Sequence, residues 1–281
     1  MNFTETGIHP QLLNTLEQLR DRCNEDNRCV GMYFWGSLST DTADSHSDID
    51  VCAVVKKECY ADFKRDVPAI CESIFGEPVA WMPEGERPEK VNYAFLFRFN
   101  DEILLYDFRV ISESFLKNLP PVSQESILFD KSGQLKAAVA PREIKQLNAG
   151  DLGEALQNYW IYMYLNGKYF ERSDLYKILY VQASLFQRHM QIIRFRYPDI
   201  AWYGWYAKDT HLCPAIHRDQ LLLYYRGARM DNVAAILGEE MDLFSEEAQI
   251  VCQEWKVDYP HHTERGVRQH LGKITGMNFE S

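Results

Sequence analysis

The sequence contains no CxxC pair, no long apolar run and no basic, hydrophobic leader. Its seven cysteines are an odd number, and none stands at zinc-ligand spacing from a histidine. A disulfide framework and a structural zinc site are therefore not expected, and the thiols should be free in a reducing compartment. No apolar run approaches the ~18 residues of a membrane helix, and no secretory signal is recognisable. We expect a cytoplasmic protein without membrane contact.

Positive charge is also scarce, because 30 Lys and Arg face 41 Asp and Glu, which leaves a net charge of −11. Binding of long nucleic acid depends on neutralising phosphates, so the composition does not favour it. The same field attracts a cationic small molecule. Apolar residues make up 46% and aromatic residues 13% of the 281 positions, which is enough for a packed core in one large or two ordinary domains.

The hydrophobic periodicity of the chain changes near residue 135. Before it, short β-branched and aromatic runs predict strands at 30–35, 49–55, 92–99 and 103–110, with helices at 12–22 and 60–75. After it, helical spacing predicts helices at 151–165, 173–196, 219–225 and 245–255, followed by a loose tail from residue 259. The sequence therefore predicts an α+β protein, with a small mixed β-sheet domain at 1–135 and an α-helical bundle at 136–281.

One segment carries recognisable chemistry. Gly36-Ser37 ends one predicted strand, and after ten residues Asp48 and Asp50 begin the next. Residues two apart on a strand face the same side, so both carboxylates project together while Ile49 enters the core. At ~4 Å two such charges repel by about 4 kcal/mol, a cost that a bound Mg²⁺ offsets. Glycine lets the backbone approach a phosphate and the serine hydroxyl can donate to it, which together indicate phosphoryl or nucleotidyl transfer.

A third carboxylate, Asp107, interrupts the apolar run of the predicted strand at 103–110. On a strand beside the pair it is a candidate for a second metal ligand or for the base that takes a proton from an attacking hydroxyl. Asp101 and Glu102 fall in the predicted turn, and His46 falls in an exposed loop. A strand-end acid in a surface contact is the alternative for Asp107.

The spacing of Gly36-Ser37 and Asp48-Ile49-Asp50 resembles the signature of the DNA polymerase β-like nucleotidyltransferase superfamily. Within it the chain is similar to the antibiotic nucleotidyltransferases, and most to the lincosamide nucleotidyltransferases of the LinB type, through residues 127–135, 167–173 and 175–194. The resemblance implies a nucleotidyltransferase domain followed by a helical domain. It also implies Mg²⁺-dependent transfer of a nucleoside monophosphate, from ATP or another triphosphate, to a hydroxyl of a small molecule such as a lincosamide or aminoglycoside.

By the same resemblance, Asp48, Asp50 and Asp107 bind metal and carry catalysis, and Gly36 and Ser37 bind phosphate. Lys177 is a further candidate for the triphosphate, with a solvated helix face as its alternative. Glu154 is a second candidate for the base, although it also fits a capping box with Asp151. The aromatic stretch 202–206 fits either a ligand wall or core packing. A homodimer is a further expectation.

The sequence leaves other functions open. The chain could modify a partner protein or act as an antitoxin, although minimal antitoxin-type domains are usually much shorter. It could also be a nucleotide-binding module with a decayed site, which the intact acids argue against. Template-independent tailing of RNA is disfavoured by the net charge of −11.

Overall fold

The computed structural model of the chain describes residues 10–40, 43–119, 122–140, 146–202, 204–226 and 229–279. The chain divides into two compact units, residues 1–142 and 143–281. Within the described ranges, no helix is both long and apolar enough to span a bilayer. The protein has the α+β architecture that the sequence predicts, with a mixed sheet in the first unit and helices in the second.

The first unit is built on a sheet in which the described residues form six strands, in the spatial order β3-β4-β5-β2-β1-β6. Strands β2 and β5 are parallel, and the other neighbours are antiparallel. The strands are β1 Cys29–Phe34, β2 Ile49–Val55, β3 Ala80–Arg87, β4 Lys90–Phe99, β5 Glu102–Ser112 and β6 Ile127–Asp130. The helices of this unit are α1 Pro10–Glu25, α2 Tyr60–Phe75 and the short α3 Gln134–Ala137.

Strand alternation gives the two faces of the sheet different partners. On one face Ile49, Val51 and Phe108 join the main core with apolar side chains of α1 and α2, such as Leu16 and Phe63. The opposite face has a smaller apolar cluster that includes Cys52, Val54 and Ile111. Because Asp50 and Asp107 alternate with the main-core residues, they belong to this second face.

The sequence predicts four of the strands and both long helices of the first unit within a few residues, and β2 and α2 match at both ends. The turn at 100–101 is present, with Asn100 at a left-handed φ of 54°. Strands β3 and β6 were not predicted. All eight residues of β3 are exposed and it contains Pro83, so it lacks the alternation of a half-buried strand.

The second unit is helical, and its described helices are α4 Ala149–Glu171, α5 Leu175–Arg196, α6 Tyr206–Asp209, α7 Ala215–Leu221, α8 Met230–Trp255 and α9 His261–Thr275. Its core is dense in aromatic residues, and the rings of Tyr159 on α4 and Phe244 on α8 stack with centroids 3.3 Å apart. A buried hydrogen-bonded chain runs beside them, because Tyr224 contacts both Tyr159 and the Nδ1 atom of His189.

Several helix ends differ from the sequence-based expectations. Asn148, and not Asp151, caps α4, since its side chain accepts a hydrogen bond from the Asp151 amide. The helix also continues past Gly167, because that glycine lies against α9: an added Cβ would stand 2.8 Å from Leu271. The expectation of a loose tail from residue 259 was wrong, since α9 occupies 261–275 and buries Val267 and Leu271.

Candidate active site

The turn that follows β1 lies directly against β2. The backbone N–H of Trp35 donates to the carbonyl of Asp50 at 3.1 Å. Gly36 has a φ of 68°, and a Cβ added there would lie 1.8 Å from Oδ2 of Asp50. Only glycine meets both requirements, a left-handed backbone and contact with a carboxylate. Ser37 follows on the turn, half-buried.

The acids that the sequence singles out come together at the same end of the sheet. Asp50 on β2 is the direct parallel partner of Asp107 on β5, at the usual strand spacing of about 4.8 Å. Asp48 precedes β2 by one residue, and its charge raises the pKa of the Asp107 carboxyl. Gly36, Asp48, Asp50 and Asp107 therefore form one neighbourhood, which we call the acid site.

Asp107 is electrostatically unusual. Burial raises the pKa of its carboxyl to about 6, and the negative charges of Asp48 and Glu84 add to this, while Asn92 and Arg109 act in the opposite direction. Its Oδ1 atom is buried and accepts no hydrogen bond from the described part of the chain. A half-buried carboxyl that titrates near neutral pH is suited to proton transfer.

The fit of a divalent cation can be judged from the donor set. The acid site offers carboxylate oxygens, which Mg²⁺ prefers, and their mutual repulsion falls when a cation lies among them. As placed, no group of three or more His, Cys, Asp or Glu side chains within the described ranges is gathered closely enough to hold a metal by itself. The donors therefore match Mg²⁺ in chemistry, with the remaining ligands of the ion left to water and phosphate.

Four residues that the sequence analysis did not single out surround the acid site. Both Asn92 on β4 and Glu84 on β3 affect the pKa of Asp107, the first as a hydrogen-bonding amide that lowers it and the second through a negative charge that raises it. Arg109 stands two residues beyond Asp107 on the same face, and its guanidinium carbon lies 3.6 Å from the centroid of the Trp35 ring. The signal that could have found Arg109 is the alternation of β5, which places residues 107 and 109 on one side.

The second unit contains a cavity of about 340 Å³ with both polar and apolar lining residues. Asp151 and Glu154 of α4 line it together with Arg188 and Arg194 of α5. Glu154 is exposed, and the capping-box interpretation is wrong because Asn148 caps the helix.

The aromatic stretch 202–206 also reaches this cavity, through Trp202, Gly204 and Tyr206, whereas Tyr203 lies outside the described residues. Arg194 forms an ion pair with the buried Asp209, and its guanidinium lies 4.3 Å from the centre of the Tyr206 ring. Asp209 also accepts from the Gly204 amide at 3.3 Å. The aromatic wall of the cavity is thus fixed by a buried ion pair.

Lys177 lies in the first turn of α5, exposed and paired with Asp174 at 2.8 Å. The same aspartate caps the helix by accepting from the Lys177 amide. These contacts fit the alternative interpretation of Lys177 as a solvated residue at the helix end. Its contact with a triphosphate stays a prediction.

Comparison with known proteins agrees with this chemistry. Residues 13–274 match the family model described as streptomycin adenylyltransferase. The chain belongs to the streptomycin adenylyltransferase family. It is therefore a nucleotidyltransferase of the antibiotic-modifying type. No curated protein matched the chain in sequence.

Two solved structures are similar to the chain at low identity. An aminoglycoside 6-adenyltransferase from Bacillus subtilis is 14% identical, with a TM-score of 0.44, and the match covers 96% of this chain and 100% of that one. A spectinomycin adenyltransferase from Enterococcus faecialis is 12% identical, with a TM-score of 0.28, over 85% and 98% of the two chains.

Proposed function

We propose that the protein is a cytoplasmic enzyme that transfers AMP from ATP to a hydroxyl of a cationic antibiotic of the aminoglycoside type. The observation that carries this proposal is the acid site, where the Gly36 backbone touches the Asp50 carboxylate and Asp50 stands beside Asp107 in register. The family description and the net charge of −11, which attracts a polycationic acceptor, support the choice of acceptor.

In this proposal Asp48 and Asp50 hold Mg²⁺, and the Gly36-Ser37 turn binds the triphosphate through its amides and hydroxyl. When bound, Mg²⁺ would neutralise phosphate charge and so assist attack at the α-phosphorus. The acceptor oxygen forms a bond to that phosphorus, and the bond to the bridging oxygen breaks to release pyrophosphate. We assign the proton of the acceptor hydroxyl to Asp107, whose pKa of about 6 suits a base near neutral pH.

The second unit supplies a candidate place for the acceptor. Its cavity has carboxylates on α4 that can pair with ammonium or guanidinium groups, and aromatic rings that can cover a sugar face. Glu154 is the alternative base. Replacing Asp107 with Asn and, separately, Glu154 with Gln distinguishes the two assignments, since loss of the true base lowers kcat without abolishing binding of MgATP.

The experiment that tests the function is a pyrophosphate-release screen with Mg²⁺, ATP and panels of aminoglycosides and lincosamides. We expect pyrophosphate only when an aminoglycoside is present. Asp50→Asn should lower turnover about a hundredfold or more, because metal-held charge stabilisation contributes several kcal/mol. Asp101→Asn, in the neighbouring turn, is the matched control and should retain activity.

Three outcomes would count against the proposal. Full activity of the Asp50→Asn protein would refute its metal role. Activity with lincosamides and none with aminoglycosides would show that the proposed acceptor class is wrong. Transfer of label from ATP to a protein in a cell lysate, without labelled small molecules, would favour the protein-directed alternative.

A further inference from the structure

The segments that carry the acid site meet at one side chain, Trp35. Its backbone N–H donates to Asp50 O at 3.1 Å, and its indole Nε1 donates to Val51 O at 3.3 Å. Both bonds run to β2, the strand that Asp50 and Val51 share, while Gly36 follows Trp35 directly in the chain. The orientation of the indole therefore fixes where the Gly36-Ser37 turn begins relative to the Asp50 carboxylate.

The third segment reaches Trp35 through Arg109. Its guanidinium carbon lies 3.6 Å from the centroid of the indole ring, which is stacking contact. Its Nε atom is buried and has no hydrogen-bond partner among the described residues. Arg109 is half-buried, and stacking on the Trp35 ring stabilises its charge in addition to the nearby Asp107 carboxylate.

Arg109 belongs to β5 and lies two residues from Asp107, in register with Cys52 of β2. The guanidinium thus holds the indole against the strand pair that carries two of the three acids. Neither residue has an assigned part in the reaction.

We propose that Trp35 and Arg109 act together as positioning residues, which hold the triphosphate-binding turn in place against Asp50 and Asp107. This rests on the proposed function, because the turn must bind the triphosphate for the pair to matter. A flat guanidinium on a flat ring resists both tilting and sliding, whereas a lysine ammonium would retain the charge but not the plane. Displacement of the turn should therefore weaken nucleotide binding more than it slows the chemical step.

Four variants test the proposal: Trp35→Leu, Trp35→Phe, Arg109→Gln and Arg109→Lys. Binding of MgATP is measured by titration calorimetry without acceptor, and kcat and KM by pyrophosphate release. We expect Trp35→Leu, Arg109→Gln and Arg109→Lys each to raise Kd and KM for ATP roughly tenfold, with a smaller change in kcat. Trp35→Phe keeps a ring under the guanidinium and should recover part of the loss.

Trp81→Phe and Arg98→Gln are the matched controls, since both residues are exposed on the same sheet, on β3 and β4. They should leave Kd unchanged, and thermal melting should show all variants folded. Should Trp35→Leu fail to fold, Trp35→Phe and Arg109→Lys still decide the question.

Wild-type Kd and KM in folded Arg109→Lys protein would overturn the stacking role, because charge alone would then suffice. A fall in kcat with unchanged KM would assign the pair to the reacting groups instead and would also overturn the proposal. Absence of ATP binding by the wild-type protein would refute the proposed function itself, and is thereby distinguishable from failure of the positioning role.

Discussion

At the turn after β1, a single hydrogen on Gly36 separates the backbone from the Asp50 carboxylate. Gly36→Ala would force a Cβ to within 1.8 Å of Oδ2 and would strain a φ of 68°. We expect loss of detectable ATP binding and a lower melting temperature. The matched control is Gly85→Ala, where φ is also positive at 56° but nothing lies within 4 Å, so only the backbone cost of about 1 kcal/mol should appear. Equal effects at the two glycines would contradict the steric argument.

The raised pKa of Asp107 predicts opposite pH dependences for catalysis and for folding stability. Because burial raises this pKa to about 6, the carboxyl is protonated in acid, and kcat/KM should fall as the pH decreases through about 6. The effect of Asp107 on folding has the opposite sign. Its contribution to the free energy of unfolding is present at low pH and is lost as the pH rises through about 6. A pH-rate profile from 5 to 8 measures the first effect. The Glu84→Gln substitution removes a negative charge, so it should lower the pKa of Asp107 and shift the acid limb of this profile to lower pH. An unchanged acid limb in that variant would argue against Asp107 as the titrating group.

At the scale of single residues, the sequence predicts the acid site better than its surroundings. The spacing of Asp48 and Asp50 follows strand alternation, a rule that needs no tertiary information. The pairing of Asp50 with Asp107 requires the parallel register of β2 and β5, and the stack of Arg109 on Trp35 requires the turn as well. Such contacts depend on strand order, which local patterns do not contain.

Among the helices, α4 offers a clean comparison of two glycines. A Cβ at Gly167 would lie 2.8 Å from the buried Leu271 of α9, whereas a Cβ at Gly153 meets nothing within 4 Å. Gly153→Ala should therefore raise the free energy of unfolding by about 0.5–1 kcal/mol through helix propensity. Gly167→Ala should lower it by about 1–3 kcal/mol, because crowding of a packed core outweighs propensity. Urea denaturation of both variants measures the difference. A higher free energy of unfolding in Gly167→Ala would show that α9 can move to accommodate the added methyl group.

The elements that the sequence analysis missed or shortened share a physical cause. Strand β3 is exposed along its whole length, so no hydrophobic alternation identifies it. Helix α9 is polar on most of its surface, and its buried residues become informative only when α4 is known to lie beside it. Both ends of β2 and of α2 were predicted. Strand β2 is a short, mostly apolar run that is buried along its whole length, and α2 buries apolar residues at helical spacing.

At the scale of the whole molecule, the free energy of unfolding at acid pH should depend on His189, which is buried and neutral. Burial lowers the pKa of His189 to about 3, and the nearby His217 adds to this. Since the unfolded chain takes up that proton near pH 6.5, folding stability should fall between about pH 6.5 and 3, at up to about 1.4 kcal/mol per pH unit. His189→Gln can keep a hydrogen bond to Tyr224 and should flatten this slope in denaturation measured from pH 7 to 4. His262→Gln, which is exposed, should retain the wild-type slope.

The fully exposed strand β3 bears on how two copies of this chain could meet. It borders the sheet, and there Pro83 lacks an amide donor while Glu84, Glu86 and Arg87 place charges along its length. Such features discourage a neighbouring molecule from extending the sheet. If the protein forms the homodimer expected from its sequence, pairing of the two β3 strands into one continuous sheet is therefore disfavoured. Ordered fibrous aggregation by the same route is opposed as well.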